Sequence, residues 1–537
     1  KGVERFYWYD FMNDGLDTTY NEHNFGIIRN GADPAGAWTP KPAYVSYAAM
    51  TRLLTGATHQ RQEQVAGGVY SHVFAKDGTD VRVVWSDEPT TVSVTTDQPL
   101  EVTDVMGVTR TYYPHAGRIY LSVDGNPLYL RGNGVSLAVD DKMTLTAADD
   151  GRAVVGDPIT LALSIDNTKA PRNPVRGQFE IAGASVPVSV RPGERAAIPV
   201  IVPASDVMGT RELVGRLVER GKAVARLSVS VDVAHPISVR TAHVRRDGTD
   251  ALAVTVTSNA GREIALGSLA WTVGDTSGTR PLPSPLPPRG SEVVDIPLRD
   301  LPVGTHTAEV RVSVPGFADV VRSGKVVLVD ADELHGITSQ SITVDGVLDD
   351  LDAARGVDLA TDGTVVMSGY GGAQDLSGQL WLTWDDEALY LSARITDDAH
   401  AQPYTGSDIW SGDSIQLGVA VGMPGETADY YEYGVALTSD GPRAHSWSTV
   451  DGEPGPVTGV DLAITRDDAE HQTVYELALP WDKLTPFDPD DALLSVSLLV
   501  NDNDGQGRKG WIEWGSGIGT GKDPALFKPA RLDPPSP

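Results

Sequence analysis

From Gly67 onward this chain is written in short runs that alternate apolar and polar residues. The run "SHVFAKDGTDVRVVWS" (71–86) is typical, with Gly, Pro and Asp marking the breaks between runs. A period of two fits a strand with one face buried and no helix face, so alternation sustained this far predicts a mainly β chain. Lys76-Asp77-Gly78 marks a hairpin turn within that run. "EVTDVMGVTRTYY" and "RIYLSVDGNPLYLRG" continue the meander and predict a small β-sandwich over residues 58–141.

Two more β-units follow, at 142–235 and 236–331. "RPGERAAIPVIV" and "PRGSEVVDIPL" read as one strand-entry element used twice, with Ile198-Pro199 returning as Ile296-Pro297 98 residues later. That spacing matches tandem immunoglobulin-like sandwiches of ~100 residues each. "PLPSPLPPRG" (281–290) is expected to be a stiff loop inside the second of them. Between Asp141 and Asp330 there are one Trp, two Phe and no Tyr, so these units suit a spacer better than a ligand platform. A larger sandwich is expected over residues 332–537.

The start of the chain reads differently. Five aromatics crowd Phe6 to Phe11, a long polar stretch follows to Thr39, and "KPAYVSYAAMTRLLTGA" then takes up helical spacing. Pro42 suits a first helical turn and Gly56 a terminator. Residues 1–57 therefore read as strand, loop and helix, too little to bury a core alone.

At 537 residues the chain should divide into roughly three to five domains. It has no cysteine, hence no disulfide, thiolate metal site or thiol nucleophile. No apolar run reaches the ~20 residues of a membrane span. The net charge of −30 is unevenly placed: residues 331–537 hold 36 acidic and 10 basic side chains, a net of −26. That balance argues against binding to nucleic acid through phosphate neutralisation. Seven of the eleven Trp also lie after residue 380.

Two resemblances give these patterns a function. "FYWYDFMNDG…EHNFGIIR…PKPAYVSYAAMTRLL" is similar to the eighth strand and helix of clan A glycoside hydrolases, retaining (β/α)8 enzymes, over about 55 residues. The resemblance implies that Trp8 floors a sugar subsite at the end of the last barrel strand. Asp10, Asn13 and Asp14 are placed to supply polar contacts and His23 lies nearby, but Asp10 and Asp14 read first as loop caps, and Trp8 reads equally as a barrel-core aromatic. Retaining glycosidases need two carboxyls ~5–5.5 Å apart. In that clan both glutamates sit on earlier strands, and Glu4 and Glu22 are the only glutamates among the first 60 residues. The expectation is a non-catalytic piece of a secreted, bacterial-type hydrolase whose catalytic glutamates lie upstream.

"ITVDGVLDD", "LWLTWDDEALYLSARITDD", "IWSGDSIQLGV", "ALPWDKL" and "VNDNDGQGRKGWIEWGSGIGTGKDPALFKPARL" resemble family 9 carbohydrate-binding modules, in order, over about 200 residues. The resemblance implies a clamp tryptophan at Trp410, before Asp413-Ser414. It departs from the family where the second clamp tryptophan is Gly521, a carboxylate is Gln416, and a sugar-contacting arginine is missing near Gly434. Trp511 and Trp514 stand as replacements. Asp385, Asp397, Asp502 and Asp504 lie in acidic clusters that read first, each taken alone, as solvated turns, and otherwise as donors to a structural calcium, a hard cation wanting six to eight oxygens. No other cofactor is expected. Two other readings stay open: an adhesion protein that holds glycan without cleaving it, and a purely structural array of sandwiches.

Overall fold

The Asp77-Gly78 turn forms as its sequence dictates. Both residues have positive φ, 53° and 75°, and they join the strands Val69–Lys76 and Thr79–Ser86 in register. The computed structural model describes residues 7–18, 20–148, 151–169, 173–246, 248–351, 355–450 and 452–534. It divides into two compact units, Lys1–Pro236 and Ile237–Pro537. Among the described residues no helix is long and apolar enough to cross a membrane.

In the first unit the helix Pro42–Leu54 forms where its spacing placed it, and Gly56 ends it at φ 76°. Helix residue Ala49 lies against Gly107, and Arg52 donates to the Gly107 carbonyl at 3.1 Å. The strand expected over Phe6–Phe11 is absent from the described part: Tyr7 to Phe11 are irregular, and Met12 makes an isolated parallel bridge to Ile28. Phe6 lies outside the described residues. A strand is held by its neighbours' ladders, and among the described residues this segment makes a single bridge with a few backbone bonds around it.

The boundary expected near residue 141 is not a break. A six-stranded sheet stays within residues 58–131. Its companion sheet is eight-stranded and takes strands from both sides of residue 141. The join is a parallel pairing of Lys222–Ala234 with Arg118–Val123, Ala225 opposite Tyr120. Sequence alternation specifies a strand's faces and leaves its edges free, so a merged sheet of this kind leaves no local mark.

The two β-units expected after residue 141 are both built of sheets. In residues 143–234 a three-stranded sheet accompanies five strands of the eight-stranded one, and in residues 237–328 a three-stranded sheet accompanies a four-stranded one. Ile198 and Ile296 occupy the same place, on the edge strand of each three-stranded sheet. The Pro-rich stretch is a loop between Thr276–Pro281 and Ser291–Pro297, as expected.

The last domain is a sandwich of two sheets bridged by His335–Ser339, which pairs in parallel with Lys528–Leu532 on one side and with Leu376–Trp384 on the other. Leu417, Val419, Tyr433, Val500, Leu498, Ile512 and Trp514 from one sheet meet Leu380, Leu391, Ile395 and Leu477 from the other in one buried core. In the first of these sheets the alternate residues face the opposite way, where Ser414, Gln416, Glu432 and Asn501 form a polar row beside a small apolar cluster of Ala420, Leu499, Ile518 and Phe527.

Candidate functional site

Cross-strand register assembles that polar face. Ser414 lies opposite Asn501, and Asn501 opposite Trp511. Gln416 lies opposite both Gly434 and Leu499, and Glu432 opposite Gly418. Five side chains from three strands and two loops form a directed chain. Arg508 Nε donates to Asn501 Oδ1 at 2.7 Å, and Asn501 Nδ2 donates to Gln416 Oε1 at 3.1 Å. Gln416 Nε2 donates to Glu432 Oε1 at 2.8 Å, where Lys522 Nζ also arrives at 2.7 Å. Gln416, Glu432 and Asn501 are buried, so each link is strong and each orphaned partner costly. Replacing Gln416 with Leu is expected to lower the domain's unfolding free energy by about 1–3 kcal/mol in urea denaturation, because buried groups on both sides lose a partner.

Three indoles border this row. Trp410, on the short 3-10 helix Gly406–Ser411, keeps 39% of its surface exposed. The Arg508 guanidinium lies over its ring at 5.2 Å and over that of Trp511 at 4.2 Å. Trp511 Nε1 donates to Glu513 at 2.8 Å. Trp447 crosses above Gly434, where a Cβ would stand 2.3 Å from its ring, and donates to the Ser407 carbonyl. With Trp447 in place, no larger side chain fits at position 434.

Trp514 does not belong to this face. It is 6% exposed, sits in the core and meets His335 edge-on at 4.7 Å. Trp511 and Trp514 differ by three residues, an odd step, so one must point outward and the other inward. Gly521 brings no ring to the site, but its neighbour Lys522 reaches Glu432. Arg508, Asn501, Glu432, Lys522 and Trp447 were not singled out from sequence. The one available signal was the basic pair Arg508-Lys509 inside a strongly acidic domain.

Beside the row, acids distant in sequence converge. Asp397, His400 and Asp413 form one group with mutually close ligand atoms, Asp397, Asp398 and Asp504 a second, and Asp375, Asp502 and Asp504 a third. Asp397, Asp413 and Asp502 are all at most 3% exposed. Burial, then the Asp397 charge, pushes the Asp413 carboxyl up to about 9. Burial also raises Asp502 to about 6, opposed by Lys509. Neither Asp502 oxygen receives a hydrogen bond, and Lys509 Nζ stands 3.4 Å away. That ammonium also contacts Asp375, and Asp504 at 2.9 Å, so the third group already holds a cation of its own. Asp385 stands apart from all three groups. It caps a turn, accepting from the Glu387 and Ala388 amides, Tyr390 and Ser341, which leaves it little to offer an ion.

At the start of the chain, Trp8 and Asp10 do come together, lining a cavity of about 430 Å³ with Phe11, Tyr47, Met50 and Tyr129. Burial, then Asp14, raises the Asp10 carboxyl above its ordinary range. Asp14 lies outside the cavity and accepts from the Tyr9 hydroxyl at 3.1 Å. His23 is used within the loop, its Nδ1 accepting from the Asp17 amide at 3.3 Å, and does not line the cavity.

Residues 344–533 match the family model described as "Carbohydrate family 9 binding domain-like". Among solved structures the chain is similar to a family 9 carbohydrate-binding module from Caldicellulosiruptor kristjanssonii in complex with cellotriose. The identity is 17%, over 37% of this chain and 94% of that one, with a TM-score of 0.29. The glucose complex of a family 9 module from the same organism gives 17% identity, 37% and 96% coverage, and a TM-score of 0.27. A search of curated proteins returned no match. The family match, rather than these distant structural likenesses, makes the assignment: residues 344–533 form a carbohydrate family 9 binding domain-like module.

Proposed function

We propose that the C-terminal module binds carbohydrate on the face built from Trp410, Arg508, Trp511, Gln416, Glu432 and Asn501. The supporting observation is the pairing of an open indole with a continuous hydrogen-bonded polar row. A pyranose has apolar C–H faces and polar edges, and such a surface meets both at once. Trp410→Ala is expected to weaken glycan binding by roughly tenfold, ~1.4 kcal/mol, in isothermal titration or on a glycan array. Equal signals from mutant and wild type would remove the claim.

A structural calcium belongs to the same reading. The donors fit it: hard carboxylate oxygens, buried, with an unbonded carboxylate at Asp502. Asp397, Asp413 and Asp502, with Asp398 and Asp504, would hold the ion, and Asp375 would remain with Lys509. Asp413 accepts from the Asn503 amide at 2.8 Å, and Asn503 Nδ2 donates to the Ser411 carbonyl at 2.8 Å. An ion there would neutralise the acids that these bonds tie together and steady the segments bearing Trp410 and Arg508.

The wider proposal is that this chain belongs to a secreted retaining glycoside hydrolase and serves as its accessory region. Its support is the opening segment, where Tyr7, Trp8, Tyr9, Phe11 and Trp38 are each more than half exposed around the Trp8–Asp10 cavity. Aromatic surface in that amount suits attachment to a larger body. Glycan hydrolysis by the protein as its gene encodes it tests this; binding without cleavage would favour the adhesion reading. A tethered module would raise the local concentration of catalyst at a polymer.

A further inference from the structure

Arg508 is paired differently from the other cations of the site. Lys509 is surrounded by three carboxylates, and Lys522 forks onto Glu432. No carboxylate among the described residues lies within ion-pair distance of Arg508, although acids outnumber bases 36 to 10 in residues 331–537. It is half-buried, and burial alone draws its guanidinium down to about 10. A partly desolvated charge without a counterion is costly, and proteins keep such features mainly where a ligand completes them.

Its geometry states what would complete it. Nε is committed to Asn501, and two indoles pack on the group at 4.2 and 5.2 Å. The two Nη nitrogens form no hydrogen bond among the described residues, and they are the part of the fork left to a partner. A guanidinium held at one edge and packed by rings presents paired in-plane donors, the arrangement that a carboxylate accepts with two parallel bonds. The neighbouring open ring of Trp410 offers the face on which the same sugar would stack.

Resting on the carbohydrate reading above, we infer that the module selects acidic glycans, taking a uronic acid residue with its ring on Trp410 and its carboxylate on Arg508. The acidic surroundings sharpen this choice. Without Arg508 the domain's charge would repel a uronate, so one unpaired cation decides between acceptance and rejection.

The experiment compares D-galacturonate and D-glucuronate oligosaccharides with their neutral galactose and glucose counterparts, by isothermal titration at pH 7 on the full chain. Wild type is expected to bind the acidic member of a pair at least tenfold more tightly. Arg508→Gln should bring the acid-to-neutral ratio to one or below, and Arg508→Lys, with the charge but not the fork, should give an intermediate ratio. Raising salt from 50 to 500 mM should shrink the wild-type preference. Neutral sugars bound as well as uronates, or a ratio unmoved by Arg508→Gln, would overturn the selectivity while leaving carbohydrate binding intact. No binding of either class by wild type would overturn the binding proposal and this inference with it.

Discussion

Calcium added to chelator-treated protein is expected to raise the unfolding midpoint of the C-terminal module by roughly 5–11 °C. Three buried carboxylates, Asp397, Asp413 and Asp502, stand close together, and burial with mutual repulsion holds Asp413 and Asp502 above the ordinary carboxylate range. A divalent cation bound to the folded state reverses that repulsion. At a hundredfold excess over Kd such binding stabilises by about 2.7 kcal/mol. For a domain of this size each kcal/mol moves the midpoint by about 2–4 °C. Scanning calorimetry in EDTA and in millimolar calcium measures the shift. Asp502→Asn should abolish most of it, because that side chain has no other hydrogen-bonding partner to keep. Identical midpoints in both buffers would remove the ion from the account. Glycan affinity should fall together with the ion, since Asp413 and Asn503 tie the cluster to the segments bearing Trp410 and Arg508.

A loss of about 3 kcal/mol of stability is expected between pH 6.5 and 9 from a single histidine where the sandwich of residues 237–328 meets the module. His243 is 6% exposed, with Nδ1 2.8 Å from Glu426 and Nε2 3.7 Å from Asp250. Burial opposes its charge, but the two carboxylates outweigh burial and raise it to about 9. Burial would likewise raise Asp250, yet His243 and Arg245 draw it down to about 2. Glu426 also accepts from the Val327 amide at 2.6 Å, so the contact ties backbone as well as side chains. Below pH 6.5 both folded and unfolded chains hold the proton and the stabilisation is complete. Between 6.5 and about 9 only the folded state holds it, so stability falls by about 1.4 kcal/mol per pH unit. Above 9 the contribution is gone. Asp413 titrates in the same window without calcium, so the comparison is wild type against His243→Gln, in calcium, by urea denaturation at pH 6 and pH 9.5. Parallel pH profiles for the two proteins would refute the assignment.

Much of the candidate site was present in the sequence as identities and absent as relations. Trp410 and Gln416 were found because their motif is contiguous, Trp410 lying three residues before Asp413-Ser414. Asp502 was marked because it sits in a visible acidic run. Its partners Asp397 and Asp413 come from other strands and loops, and Asp413 was read only as a landmark. Glu432 and Asn501 reach Gln416 across strand pairings that nothing local records. Asp385 had the same acidic look as Asp397, yet its oxygens are consumed by its own turn.

What the sequence determined alone is what the backbone's own periods express: strands from alternation, one helix from 3.6-residue spacing, the Asp77-Gly78 turn from positive φ, and the order of the module's motifs. Which sheet each strand joined was decided only in three dimensions. So were the continuation of a sheet past residue 141, the outward Trp511 against the inward Trp514, and the placing of Arg508 beside two indoles. A period is fixed between neighbours in the chain, whereas a binding face is fixed between neighbours in the sheet. Those were chosen by which apolar faces could be buried together.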